Sequence, residues 1–516
     1  MMKRGGNAID GAVSAALTLG VVDGHNSGIG GGCFLLIRLA DGSIVAIDGR
    51  ETAPGKAQRD MFVRGGKADP NLSQTGALAS GVPGALAAYD YALRRYGRIA
   101  LQNHLLEAAR LAEAGFKLDA SYAHRLAETA RELKQFDEGR RILLQSDGSP
   151  YREGQLLKQP DLANTYRQIA ERGIDWFYRG AFARQTDQWM SRNGGLLNTA
   201  DFAGYQAKPR DAVTNIYRGY LIIGFPPPSS GGVHVAQILN ILEHFDLQKM
   251  GPNSADLVHV VTEAMKIAFA DRAFWLGDAD FVAVPRGLVS KEYAARLAAR
   301  IRMDRAIQVD SHDSPQDAAG NIFGKHTTHF CTADGEGNWV ACTATINTSF
   351  GSKVVIPGTG VILNNQMDDF AIQPGVANFF GLVGAEANSV GPGKRPLSSM
   401  SPTIVLKEGK PLFSVGAAGG PTIISQTVLA VINFIDFGMP LDRALAQPRF
   451  HHQWLPDELK IERKIGNEVL AELRRRGHRV VPVNVFGAAQ AISFDPAKRS
   501  FSGLADPRLA GKAAGF

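Results

Sequence analysis

Cysteine is scarce. Cys33, Cys331 and Cys342 are the three in 516 residues, and no C-x-x-C pair is among them. That excludes a zinc ribbon and a disulfide framework. Cys331 and Cys342 flank the turn Asp334-Gly335-Glu336-Gly337-Asn338, so they are candidates to face each other across a hairpin; two small buried thiols are expected there rather than a bridge. Charge of one sign is also in short supply, with 56 basic against 50 acidic residues and a formal net charge of +6. The one dense basic cluster, Arg474-Arg475-Arg476, ends an amphipathic helical pattern, where cations complement the helix C-terminus. No basic stretch is interleaved with aromatics, so a nucleic-acid partner is not expected. The apolar run Thr422–Ile435 is too short to span a bilayer and carries Ser425, Gln426 and Asn433. No export leader is visible: Met1-Met2-Lys3-Arg4-Gly5-Gly6 runs directly into a helical pattern at Asn7–Val22, as though an upstream segment were missing. Internal repeats and low-complexity tracts are absent too.

Cofactor and metal motifs fail on inspection. Gly28-Ile29-Gly30-Gly31-Gly32-Cys33 has Cys where a dinucleotide fingerprint needs its last Gly, and it joins helix to strand instead of strand to helix. His25, His259, His326, His329, His451 and His452 form no H-x-x-x-H pair with a carboxylate on one helix, so structural histidines are expected and no metal.

What is present is an ordinary globular balance, 45% apolar and 21% charged, with 57 glycines for tight turns. The length suits two or three domains, or one large two-layer domain with insertions. After the first helix comes a hairpin, Phe34–Arg38 and Ser43–Asp48. Residues 100–310 read mainly as helices: Leu101–Ala114, Ala120–Lys134, Leu162–Arg172, Val233–His244, Ala255–Phe274 and Lys291–Arg302. From about residue 327 the pattern turns to strands. Phe330–Ala333 pairs with Trp339–Ala344, Thr403–Lys407 with Pro411–Val415, and Ala491–Phe494 with Ser500–Leu504; helices are expected at Ile423–Ile435 and Glu468–Arg476. Alternating hairpins and helices point to an α+β sandwich, antiparallel sheets covered by helices.

Four stretches could carry chemistry. His326-Thr327-Thr328-His329 opens the strand-rich part; alone it is a Thr-rich strand start. Period-2 geometry then sets Thr343, Thr345 and Asn347 on one strand face, a polar row that needs partners or a purpose. Leu363-Asn364-Asn365-Gln366-Met367-Asp368-Asp369-Phe370 gathers amides and carboxylates suited to an ammonium group, or to an Asx-rich turn. Arg395–Pro402 offers adjacent hydroxyls, Ser398 and Ser399. Gly416-Ala417-Ala418-Gly419-Gly420-Pro421 precedes a helix with Pro421 suited to its first position, so the Gly419 and Gly420 N–H groups form a candidate oxyanion site.

Together these segments closely resemble the γ-glutamyltranspeptidase (glutathione hydrolase) family of N-terminal-nucleophile hydrolases. The ordered set also includes Gly5–Asp10, Ser27–Gly32, Pro226–Gly232, Phe269–Ala273 and Gly503–Arg508. The resemblance implies a four-layer αββα sandwich and a precursor that cuts itself between His326 and Thr327. It would leave a large chain, 1–326, and a small chain, 327–516, as one heterodimeric unit. It implies Thr327 as nucleophile, Thr345 as its hydrogen-bonding partner, and Gly419 and Gly420 as oxyanion donors. Arg50, Asn347, Gln366, Asp369, Ser398 and Ser399 would bind the α-carboxylate and α-amine of a glutamyl head. Residues 374–385 would form a lid bearing Phe380. Substrates would be glutathione or other γ-glutamyl compounds, acceptors would be water, amino acids or dipeptides, and no cofactor is implied. Relatives of this kind are periplasmic or secreted. Two departures are noted: His326 stands where a small or polar residue is expected, which would slow processing, and Gly49 stands where a bulkier one is common, which would loosen the Arg50 clamp. The competing readings are a glutaryl-cephalosporin acylase or poly-γ-glutamate transpeptidase on the same architecture, and an unprocessed, inactive binding protein.

Overall fold

The computed structural model describes residues 1–315, 329–509 and 511–515. His326, Thr327 and Thr328 lie outside the described residues. Two antiparallel sheets form the centre. The first has the order β6-β7-β1-β2-β3: β1 is Gly32–Arg38, β2 Ile44–Gly49, β3 Lys208–Arg210, β6 His329–Ala333 and β7 Trp339–Thr345. The second has the order β11-β10-β9-β8-β5-β4. There β4 is Val213–Tyr217, β5 Tyr220–Gly224, β8 Thr403–Lys407, β9 Lys410–Ala418, β10 Ala488–Asp495 and β11 Ser500–Leu504.

Alternation along β1 shows how the layers stack. Phe34 and Leu36 point into a core shared with Ile223, Phe225, Met400 and Ile404 of the second sheet, and the Phe34 and Phe225 rings stack at 4.2 Å. Cys33, Leu35 and Ile37 point the other way, onto α1 (Ala8–Val22), α2 (Ala85–Tyr96) and α3 (Leu101–Ala114). On the second sheet, Phe413, Val415 and Ala417 face α4 (Ser230–Leu242), α5 (Ala255–Trp275) and α6 (Thr422–Ile435). The order is helix, sheet, sheet, helix. Residues before and after position 327 contribute strands to both sheets, because β7 pairs with β1 and β8 with β5. The two stretches therefore share one core.

Several expectations are adjusted. Asn7 is the cap of α1 and not its first residue: its side chain accepts from Ile9 N and Asp10 N while Asp10 accepts from Asn7 N. The 291–302 helix ends at Ala298. The stretch 100–310 contains a hairpin, β4–β5, whose first strand alternates buried and exposed residues as a half-covered strand should. Cys331 and Cys342 do not face each other. Register pairs Cys331 with Ala341 and Phe330 with Cys342, so the thiols lie on opposite faces of the sheet. Cys342 enters the helix-side core, whereas Cys331 turns to the second sheet, its Sγ 3.9 Å from Gln490 O.

Candidate active site

Arg50 follows the last residue of β2 and is wholly buried. Its Nη2 donates to Asp369 Oδ2 at 2.6 Å, its Nε to Pro396 O at 3.3 Å, and its Nη1 to Glu51 Oε2 at 3.4 Å. The strand end is fixed from behind by Tyr205, whose hydroxyl donates to Arg50 O at 2.6 Å. Gly49 does not loosen this clamp. A Cβ there would lie 2.6 Å from Ala88 Cβ on α2, so glycine is what lets helix and strand approach.

Asp369 and Gln366 come from one turn of 3₁₀ helix, Gln366–Asp369. Asn364 sets that turn, accepting from Gln366 N and donating to Gly30 O and Gly81 O. Gln366 Nε2 donates to the same Asp369 oxygen that Arg50 holds, at 3.0 Å. Three buried acceptor atoms around this point have no partner: Glu51 Oε1, Gln366 Oε1 and Asp369 Oδ1. Burial raises the Glu51 carboxyl to about 7, with the Arg50 charge opposing. Unmet buried acceptors are costly unless something fills them.

Ser398 and Ser399 lie wholly buried in the loop before β8. Ser398 Oγ accepts from Met400 N at 3.4 Å, and Ser399 Oγ accepts from Arg272 Nη2 at 3.3 Å. A hydroxyl that accepts keeps its own hydrogen to give, so both remain donors. Arg272, on α5, also donates from Nε to Ser230 Oγ at 3.0 Å. Burial lowers it to about 10, with Asp369 opposing, which leaves it charged at neutral pH.

Of the expected polar row, Thr343 and Thr345 lie on β7, and Asn347 lies just past its end with φ +80°. Thr343 meets His329, whose Nδ1 lies 3.0 Å from Thr343 Oγ1 and whose Nε2 lies 3.0 Å from Cys331 Sγ. Burial depresses His329 to about 3, so the imidazole is neutral. The ring presses on β9, where a Cβ at Gly416 would come 2.4 Å from His329 Nδ1. Thr345 Oγ1 accepts from Asn347 N at 2.8 Å, and Asn347 Nδ2 donates to Asn365 O at 3.0 Å.

Gly419 and Gly420 follow β9 at φ +135° and +58°, and α6 starts at Thr422 with Pro421 as its cap. Thr422 N and Ile423 N donate back to the two glycine carbonyls. A Cβ at Gly420 would lie 2.6 Å from Phe380 Cδ1, so Phe380 of the 374–385 loop packs directly on Gly420. That loop is tied down by Phe379 N, which donates to Asp368 Oδ2 at 2.9 Å, by Gln453 Nε2, which donates to Gly381 O at 2.9 Å, and by Ala385 N, which donates to Ala273 O at 2.9 Å.

The structure thus gathers Arg50, Gln366 and Asp369 into one cluster, with Ser398 and Ser399 linked to it through Arg272. Thr345 and Asn347 meet through Asn365. Glu51, Arg272 and Asn365 join these groups although the sequence reading did not single them out; Arg272 and Asn365 sit inside segments quoted for the resemblance. Elsewhere, His259, Glu263 and His478 have ligand-type atoms within 4.8 Å of one another. His259 Nδ1 and His478 Nε2 are 2.7 Å apart and share a proton, and Lys266 Nζ stands 3.1 Å from Glu263 Oε1. The group is committed to tethering residues 302–307, through Arg302 O and Ile307 N.

A helix–sheet–sheet–helix sandwich with a polar row entering it between the sheets is the architecture of the N-terminal-nucleophile hydrolases. A cephalosporin acylase from Bacillus halodurans superposes with a TM-score of 0.88 at 28% identity, covering 99% of this chain and 92% of that one. The family model described as Gamma-glutamyltranspeptidase matches residues 1–516. A glutathione hydrolase proenzyme of Escherichia coli is 44% identical over 510 residues, 98% of this chain and 87% of that protein. An acylase ACY 1 proenzyme of a Pseudomonas species is 41% identical, covering 95% and 86%. The chain belongs to the γ-glutamyltranspeptidase family. No helix among the described residues is long and apolar enough to cross a membrane.

Proposed function

We propose that this enzyme cleaves its own chain between His326 and Thr327 and then hydrolyses or transfers γ-glutamyl groups, with glutathione as the model donor. The observation that carries the donor class is the orphaned set Glu51 Oε1, Gln366 Oε1 and Asp369 Oδ1 beside a fixed guanidinium. A free α-ammonium has three hydrogens to give, and acceptors without donors are what it needs. Arg50 and the Ser398 and Ser399 hydroxyls supply donors for the neighbouring α-carboxylate.

In self-cleavage, Thr327 Oγ adds to the carbonyl of His326 and the C–N bond breaks, leaving an ester and a free Thr327 amine. Water then hydrolyses the ester and regenerates the hydroxyl. An α-amine titrates at about 7.7–8.0, so part of it is neutral near pH 7 and can take the Thr327 hydroxyl proton. The hydroxyl attacks the γ-carbonyl, Gly419 and Gly420 N–H groups hold the oxyanion, and the leaving amine takes the proton. A γ-glutamyl ester on Thr327 is resolved by water or by an amino acid or dipeptide amine. Thr345 as the partner of Thr327 rests on the resemblance; Thr345 itself lies on β7 two residues beyond Thr343, which pairs with His329. Maturation would give two subunits, 1–326 and 327–516, and a periplasmic or secreted site of action accords with the resemblance.

Acylase chemistry is the second reading, favoured by the likeness to the two acylases. A glutaryl head has no amine and would leave Asp369 Oδ1 and Gln366 Oε1 unmet, at about 1–3 kcal/mol each. Intact mass and N-terminal sequencing of the purified protein test the proposal. Two chains, one beginning at Thr327, are expected, and Thr327→Ala should remain one chain. A single inactive chain from the unaltered sequence would leave the binding-protein reading.

A further inference from the structure

Beyond β7 the backbone is contorted. Asn347, Phe350, Gly351 and Lys353 all have positive φ, at 80°, 58°, 49° and 67°. For Phe and Lys this region is sterically costly, and a run of such residues persists only when its surroundings hold it. The holder is the ammonium of Lys353, folded back into its own loop. Its Nζ donates to Ser349 O at 2.7 Å, Gly351 O at 2.8 Å and Thr348 Oγ1 at 3.3 Å, so all three of its hydrogens have acceptors. The side chain is 7% exposed. Thr348 Oγ1 also accepts from Asn365 Nδ2 at 2.8 Å, and Asn365 Oδ1 accepts from Thr348 N at 3.1 Å. Asn365 in turn presents its carbonyl to Asn347 Nδ2 and adjoins the Gln366–Asp369 turn.

We propose that Lys353 is a positioning residue for donor binding: its ammonium pins the strained 347–353 loop and thereby sets both Asn347 and the Gln366–Asp369 turn. The inference rests on the reading of Asn347 and Asp369 as ligands of the glutamyl head. A neutral amine has two hydrogens for three acceptors and no charge, so the pin weakens when Lys353 loses its proton. Burial brings that loss down to about 8, with Glu132 opposing. Other titratable groups packed against the loop lie around the end of α1. His25 and Asn26 carbonyls accept from Phe350 N and Ile346 N, and burial moves Asp23 to about 7 and His25 to about 4, with Asp119 and Arg125 acting on both or one of them. Tyr122, edge-on to Phe350, is pushed far upward by burial, and Asp23 and His25 change charge below Lys353.

The test is KM and kcat for γ-glutamyl-p-nitroanilide between about pH 7 and about pH 10, for the processed protein and for Lys353→Arg, Lys353→Met and Asn347→Ala. KM of the unaltered enzyme should climb about tenfold as pH passes from about 7 to about 9.5, while kcat moves separately with the Thr327 amine. Lys353→Arg, which stays charged, should hold KM flat to higher pH than the unaltered enzyme. Lys353→Met should show the high KM already at neutral pH. The substrate's own amine titrates equally for all, so the difference between Lys and Arg isolates this residue. A flat KM in the unaltered enzyme, or an identical climb in Lys353→Arg, overturns the proposal without need of the Met variant. If Asn347→Ala leaves KM unchanged, the assignment of Asn347 as a ligand has failed instead.

Discussion

Among the described residues, two of the buried ion clusters differ in how fully their acceptors are met. The first is Arg50, Glu51, Gln366 and Asp369. The second joins Arg449 and Arg508 to Glu462 and Asp506 in the half of the chain after 327. In the second every carboxylate oxygen is spoken for. Asp506 Oδ2 takes Arg449 Nη2 and Ala489 N, and Oδ1 takes Arg508 N; Glu462 takes Arg508 Nε at 2.6 Å and Nη2 at 2.8 Å, and Arg449 N. In the first, three acceptors wait. The closed cluster has no acceptor left to offer; the open one has room for a donor. Asp369 and Asp506 both lie in segments quoted for the resemblance, and the hydrogen-bond count is what tells their clusters apart.

The comparison can be broken at several points. Arg449→Met should strand Asp506 in the core and destabilise the fold by about 3–5 kcal/mol, seen as a lowered Tm with loss of soluble protein. Gly420→Ala would drive a methyl group into Phe380 at a left-handed φ and disturb the oxyanion donors, lowering kcat by about 10²–10³ with a smaller change in KM. Asp369→Asn should cut kcat/KM for γ-glutamyl-p-nitroanilide by about 2–3 kcal/mol, roughly 30- to 150-fold, while Tm shifts little, the reverse of Arg449→Met. If Asp369→Asn instead mainly lowers Tm, the first cluster is structural after all.

The smallest effect concerns pH. Glu51 is raised to about 7 in the folded protein, above its unfolded value. Such a group favours the folded state fully below its unfolded pKa, and that contribution is lost as pH rises through about 7. Asp506 runs the other way: burial raises it, but the Arg449 charge and the amides of Ala489 and Arg508 outweigh that and leave it lowered. Its contribution is present above the unfolded pKa and lost as pH falls through the folded one. Glu51→Gln should therefore flatten the neutral side of the Tm–pH curve, and Asp506→Asn the acid side.

Much of this was legible in the sequence. Period 2 put Thr343 and Thr345 on one face, as the strand shows, and the faces of β1 sort by the same rule; Asn347 lies past the strand end at a left-handed φ, beyond that rule. The Gly-Gly-Pro run before an apolar stretch marked α6 to within a residue. The β4–β5 hairpin was masked because it is short, lies among helices and has exposed Ile216 on its outer face. Register also escaped: Cys331 and Cys342 flank one turn, but Cys342 lies one residue further from it, so Cys331 pairs with Ala341 and the two thiols take opposite faces. Glu51, Arg272 and Lys353 carry no local signal at all. Their importance comes from residues hundreds of positions away or from backbone strain, which no periodicity encodes.

The central claim is that the open cluster awaits an ammonium. The direct measurement is kcat/KM of the processed protein on γ-glutamyl-p-nitroanilide against glutaryl-p-nitroanilide, which differ only by that amine. The account predicts faster γ-glutamyl release, with the preference collapsing in Asp369→Asn. Faster glutaryl release by the unaltered enzyme would contradict it.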